Sequence, residues 1–370
     1  MELKRRDARL FEVDAAKFFA IIFMICVHVY ERFGSFDFDS VIPDTPYRNI
    51  VEFLGGPLAA PVFMFCMGIG MIYTRHSEPA DFIKRGIKLL IMGYALNFFR
   101  QTVPMFIAMA LDIDTGFSLI GGLLNVDILP FSGMAFIIIG IMKKLKVPTL
   151  GMLGVAVIFQ AAGIWATKLD IESVAIATLI GLLLPGGGHV AFPMTLWLIY
   201  PVLGMLFGEV LKKAEDRAPI YRRLMIASTI LFAALSVALK YSGYDLRLIY
   251  TLYHGSYYNQ TILSVLWIIP LVMIALSANF FILGGLEETL AGRFIRHCSS
   301  NLTCIYVTQW ILIGYGFGVT MLLGIEKTQE PFPLVLGGLA LMAVSILIMT
   351  IYKKIQGKIR RIYKWTVNDD

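Results

Sequence analysis

The sequence predicts an all-α, polytopic membrane protein of about ten transmembrane helices, with one or two short re-entrant or interfacial helices. Two observations carry this. Of 370 residues, 58% are hydrophobic and only 16% charged, too apolar a balance for a water-soluble globule. The apolar residues gather in runs near the roughly 20 needed to cross a bilayer. Most of the 32 Lys and Arg fall in short clusters between those runs, the pattern that sets membrane orientation. The basic excess therefore reads as topology, and no nucleic-acid surface is expected. Cys26, Cys66, Cys298 and Cys304 lie in or beside apolar spans without CxxC or ligand spacing, so neither a disulfide framework nor a metal site is expected.

Lys4, Arg5, Arg6 and Arg9 precede the first run and put the N-terminus in the cytoplasm. No small-x-small cleavage site follows Val29, so this run is expected to stay as a span. It leads outward to a loop holding Asp37, Asp39 and Asp44. Residues 53–73 return, with glycines and prolines that let helix backbones approach in lipid. Arg75, Lys84, Arg85 and Lys88 mark the next inner turn. Residues 83–99 cross outward and end at Asn97 and Arg100, an arginine at an outer end that calls for a local partner. Residues 105–124, cut by Asp112, Asp114 and paired glycines, read as an interfacial or re-entrant piece. Spans follow over 127–141, inward to Lys143, Lys144 and Lys146, and over 149–166, outward. Residues 171–184 are too few to span and read as a second re-entrant or surface piece, running into Pro185-Gly186-Gly187-Gly188-His189. Residues 192–210 lead to the basic loop Lys212 to Arg223, and 221–240 go out to an aromatic loop with Tyr241, Tyr244, Tyr250, Tyr253, His254, Tyr257 and Tyr258. Residues 260–280, 302–318 and 334–351 complete the set, with both termini inside.

The first span, FEVDAAKFFAIIFMICVHVYERF, holds Asp14, Lys17 and His28 within an apolar run. A charge there costs from roughly 2.5 kcal/mol upward, so such groups face a partner, a cavity or a substrate. At about 100° per residue, Lys17 and His28 fall within roughly 20° of each other, about 16 Å apart along the axis. One stripe thus joins Asp14, Lys17, Ile21, Met24, Ile25, His28 and Arg32. The imidazole, with an unperturbed pKa of about 6.5, suits proton transfer. The competing reading is an internal Asp14–Lys17 pair and a histidine that bonds a neighbouring helix.

His189, His254, Asn97, Arg100 and Asp127 reach the same outer level as His28, which implies a polar pocket opening there. Asn97, Arg100 and Asp127 are expected to pair or to orient the imidazole, and Asp127 or Glu31 to steady an imidazolium. For His189 and His254 the alternative is a solvated loop histidine. Gly186 to Gly188 fit a hinge or a phosphate loop, and the tyrosines of 241–258 fit an interfacial belt.

Lys17-x10-His28 within VDAAKFFAIIFMICVHVYE resembles the opening of the integral-membrane acyltransferases, acyltransferase family 3 and its relatives, where an arginine stands in the place of Lys17. LAAPVFMFCMGIGM at 58–71, VDILPFSGMAF at 126–136, Gly93–Asn97 and FPMTLWLIYPVLGMLFG at 192–208 are similar to segments of the heparan-α-glucosaminide N-acetyltransferase-like branch. The resemblance implies one integral-membrane domain over 1–370, in the cytoplasmic membrane of a prokaryote. It implies an enzyme passing an acyl group, acetyl first, from cytoplasmic acyl-CoA to an outward-facing sugar or glycan, with no metal. By match to the motif, His28 is the base and Lys17 stands in the arginine position; Asp127, from its place at the same level, is the expected catalytic partner. Asp14, Lys17, Arg32, Asn97, Arg100, His189 and His254 are the expected donor- and acceptor-binding residues. The bilayer is the obligatory partner, and a homo-oligomer is compatible with the pattern. The alternative class is a secondary transporter with a polar midplane site, whose mark would be matching interruptions in two halves.

Overall fold

A computed structural model describes residues 9–34, 45–113, 118–169, 171, 173–185, 190–251, 257–328 and 330–367. Its elements are helices, and two isolated bridges, Gly34 with Thr328 and Val126 with Val190, are the β pairings among the described residues. In order, the helices are α1 (Phe11–Phe33), α2 (Pro46–Gly55), α3 (Ala60–Tyr73), α4 (Pro79–Asn97), α5 (Val103–Ala110), α6 (Leu119–Leu123), α7 (Ile128–Lys144), α8 (Thr149–Ala166) and α9 (Val174–Ile180). There follow α10 (Met194–Trp197), α11 (Ile199–Lys213), α12 (Ala218–Tyr241), α13 (Arg247–Tyr250), α14 (Ile262–Leu283), α15 (Leu290–Ser300), α16 (Leu302–Leu322) and α17 (Pro331–Val367).

Eight helical stretches among the described residues are long and apolar enough to cross a membrane, against the ten expected. The other two expected spans are present as helices but fall short for visible reasons. α4 carries Asp81, Lys84, Arg85 and Lys88, and α7 has only 17 residues. These two pack on each other, with Gly86 and Gly133 each facing the other's carbonyl oxygen at under 3 Å from where a Cβ would stand. A side chain at either position would force the pair apart.

α1 is the hub, packing against α2, α3, α14, α15, α16 and α17. Ile21, Met24 and Ile25 of its stripe are buried, so the apolar middle of the stripe faces protein. The second expected span is α2 and α3, joined by a break at Gly56–Ala59. α3 then meets α11 so closely that a Cβ at Gly68 would lie 1.9 Å from the Pro201 oxygen, the small-residue packing expected of helices in lipid. α12 is the opposite case: one face packs on α14 through Phe232, Leu235 and Leu239, while Ile226, Ile230, Leu231 and Val237 are exposed, the surface of a helix that meets hydrocarbon.

The third span does not end at residue 99. The backbone stays helical from α4 into α5 through a π-helical turn, Phe98–Thr102. Proline has no N–H to give, and its ring clashes with the carbonyl four residues back. For Pro104 that carbonyl belongs to Arg100. The ladder widens instead, with the Val103 N–H bonding the Phe98 oxygen. The Arg100 carbonyl is met by α16 at Gly314, where a Cβ would lie 2.4 Å from that oxygen. The stretch 105–124 is therefore partly a continuation of the third span, followed by the short α6. Residues 171–184 hold the short α9.

Candidate active site

Both ends of α1 are tied down by ions. At its N-terminal end Asp14 accepts from Arg9 Nη2 at 2.9 Å and from the Ser299 hydroxyl at 2.7 Å, and pairs with Lys17 Nζ at 3.1 Å. Glu12 accepts from the Tyr221 hydroxyl at 2.9 Å and from Arg217 at 3.3 Å. With three partners, Asp14 anchors α1 to α15, and its carboxylate is already occupied. Lys17 keeps part of its side chain exposed beside that pair. Near the other end, Glu52 of α2 accepts from Arg48 Nε at 3.0 Å and from the Tyr30 hydroxyl at 3.3 Å. Lys17 and His28 share the unbroken α1, so the helix itself sets their separation along its axis.

His28 lies in a second cluster built from four elements. Its Nδ1 is 3.5 Å from Gln309 Oε1, and its ring sits 4.0 Å from the Trp310 ring, tilted by 33°. The Arg100 guanidinium lies 4.1 Å from that same indole, close enough for a cation–π contact. Arg100 Nη1 donates to Asp127 Oδ2 at 2.8 Å, and Asp127 Oδ1 accepts the Ile128 N–H at 2.7 Å as the N-cap of α7. His28 on α1, Gln309 and Trp310 on α16, Arg100 in the π-turn and Asp127 before α7 form one chain of contacts. Asp127, Arg100 and Arg32 all lie within electrostatic reach of the imidazole.

Around this chain, two buried donors have no hydrogen-bond partner among the described residues, Arg100 Nε and Gln309 Nε2, while the Tyr306 hydroxyl lies within reach of both Asp127 and the Trp310 indole. Orphaned buried donors are rare because each costs about 1–3 kcal/mol. A pair of them beside one imidazole marks a place for oxygen acceptors supplied from outside. A cavity of about 400 Å³ opens here, with Arg32, Arg100, Asn125 and Trp310 in its wall.

Several expectations are corrected by this geometry. Asn97 does not orient the imidazole: its Nδ2 donates to the carbonyls of Leu123 and Asn125, at 3.0 and 2.7 Å, and so holds the turn after α6. Asp127 bonds Arg100 and reaches His28 only through the field. Glu31 accepts from Tyr258, 3.4 Å away, whose carbonyl in turn accepts from the Trp197 indole. Tyr257 is a core residue, buried against Trp197 with its hydroxyl on the Gly56 carbonyl, whereas Tyr241 is exposed as a belt residue should be. His189, His254 and Gly186 to Gly188 lie outside the described residues. Gln309 and Trp310 were missed, although a glutamine in an apolar span was a usable signal. Among the described residues no group of three or more His, Cys, Asp or Glu gathers in a way that would hold a metal ion.

The chain matches the acyltransferase domain of acyltransferase family 3 over residues 10–352. No curated protein and no solved structure matches it.

Proposed function

The chain belongs to acyltransferase family 3, and from that membership we propose that it transfers an acyl group, acetyl first, from cytoplasmic acyl-CoA to an outward-facing sugar or glycan hydroxyl or amine. That it is a membrane acyltransferase in general displaces the secondary-transporter reading. The observation that carries the finer reading is the imidazole of His28, flanked by Trp310 and Gln309 and set beside two donors that lack partners.

With Gln309 Oε1 facing Nδ1, the neutral ring carries its proton on Nδ1 and leaves Nε2 as the base. Nε2 takes the acceptor's proton as the acceptor oxygen or nitrogen bonds to the thioester carbonyl carbon. The tetrahedral oxyanion takes a hydrogen bond from Gln309 Nε2, which has no other partner. On collapse the carbon–sulfur bond breaks, and the imidazolium returns its proton to the departing thiolate. Asp127, held by Arg100, supplies the negative field that favours the transient imidazolium. Lys17, roughly three turns nearer the N-terminal end of α1, serves the anionic donor.

Purified protein given radiolabelled acetyl-CoA and a panel of sugar acceptors should form labelled product, and Lys17→Met should raise KM for the donor more than it lowers kcat. No transfer from any acyl-CoA would sink the donor assignment. The two irregular pieces, the C-terminal end of α1 and the aromatic loop share the external side in this reading, with about ten spans and both termini cytoplasmic. A cysteine placed at Ser242 should then react with an impermeant reagent added outside, while one at Lys213 is spared. The reverse pattern would invert the topology.

A further inference from the structure

The cavity lined by Arg100 and by Trp310, the indole that packs on His28, is not shaped for a sugar. Its wall is mostly apolar, built from α5, α6 and the C-terminal half of α16, with Gln101, Ser118 and Asn125 as polar exceptions, and Ile107, Leu111, Met321 and Leu322 belong both to that wall and to the molecule's exposed apolar surface. It therefore opens sideways, toward hydrocarbon. Its floor is different. Arg100 and Trp310 line it, both buried, with Arg100 Nε lacking any partner among the described residues. Arg32 adds a second cation that forms no ion pair among the described residues and rests 6.0 Å from the Phe317 ring.

An apolar shaft ending in two cations and a free guanidinium N–H fits an anionic amphiphile entered from the membrane. The volume of about 400 Å³ is at the small end of the roughly 300–1,000 Å³ of ligand sites, which suits one chain segment better than two tails side by side. We infer that this cavity binds a single-chain lipid phosphate, and that the acceptor is carried on it: the chain lies between α5 and α16, the phosphate meets Arg32 and Arg100, and the attached sugar is delivered beside His28. This rests on the acyltransferase reading above and names the form in which its acceptor arrives. Free glycans would leave the apolar wall unused, and a long acyl chain of the donor would leave the two arginines without a counter-charge.

The test reads binding and not acyl transfer, with acyl-CoA present only as a competitor, so it can fail while acyl transfer succeeds, and the reverse. Farnesyl phosphate is titrated against the full chain in phosphatidylcholine nanodiscs and bound ligand is counted by native mass spectrometry, with farnesol, inorganic phosphate, phosphatidylglycerol and octanoyl-CoA as competitors. Farnesyl phosphate should bind saturably at one site, with farnesol weaker by about tenfold or more, since it forfeits the charge-assisted hydrogen bonds to both arginines. Gly318 lines the cavity and a Cβ there meets nothing within 4 Å. Gly318→Phe should therefore fill the shaft and weaken binding by about tenfold or more, while Gly318→Ala keeps it. Any of four results would overturn the inference: no saturable binding, binding indifferent to Gly318→Phe, phosphatidylglycerol or farnesol binding equally well, or octanoyl-CoA displacing the probe.

Discussion

His28→Ala is expected to cut kcat by about 10²–10⁴-fold, the usual contribution of a positioned general base. A hydroxyl is a poor nucleophile at neutral pH, so its proton must leave as the new bond forms. His28 is the one imidazole within a candidate span among the described residues. The variant should still fold, because what fixes α1 lies elsewhere. Asp14 and Glu12 hold one end and the Tyr30–Glu52–Arg48 group the other, while His28 itself makes one long contact to Gln309 and one ring contact to Trp310. Single-turnover transfer, with acyl-CoA affinity and unfolding temperature measured alongside, separates the roles. A donor Kd near wild type together with the kcat loss supports the base. A variant that kept more than about a tenth of kcat, far above the loss expected for a removed base, would take His28 out of the chemistry.

The first span and its polar residues were legible because a charge in an apolar run is expensive and so stands out in a sequence. Arg100 was legible for the same reason, as a cation at the wrong end of a span, and its partner Asp127 was already among the candidates for pairing. What could not be read was the direction in which such groups turn. A stripe at about 100° per residue puts Asp14 and His28 on one face, yet α15 supplies Ser299 to the first and α16 supplies Trp310 to the second. The two ends of one face thus meet different helices and do different things. The π-turn at Phe98–Thr102 was hidden for another reason. Pro104 announces a break in any helix, but only the neighbouring Gly314, far away in sequence, shows where the freed Arg100 carbonyl is received. Gln309 and Trp310 were lost in a span that otherwise reads as plain lipid-soluble helix. Asn97 was placed at the right level but satisfies backbone carbonyls, a partner that leaves no trace in the sequence.

The Arg100–Asp127 pair gives the other large effect, and stability and activity should separate in it. Arg100 and Asp127 are both buried, 2.8 Å apart. Removing one member of such a pair strands the other charge and costs about 3–5 kcal/mol, a large share of a typical 5–15 kcal/mol of stability. Asp127→Asn should show this cleanly, because asparagine caps a helix as well as aspartate does and the bond to the Ile128 N–H survives. Arg100→Met should be as costly or nearly so, since the carboxylate would lose its counter-charge and keep only the cap bond and the Tyr306 hydroxyl. The double variant is expected to recover most of the lost stability, as replacing a whole buried pair by uncharged groups is often neutral. Transfer activity should not recover with it. Arg100 rests on the indole that stacks against His28, and Asp127 supplies the charge felt by the imidazole, so the double variant restores packing without restoring the field. A double-mutant cycle read in both denaturation midpoint and kcat tests this. If kcat returned together with stability, the pair would be a structural clamp alone, and the imidazolium would need another partner.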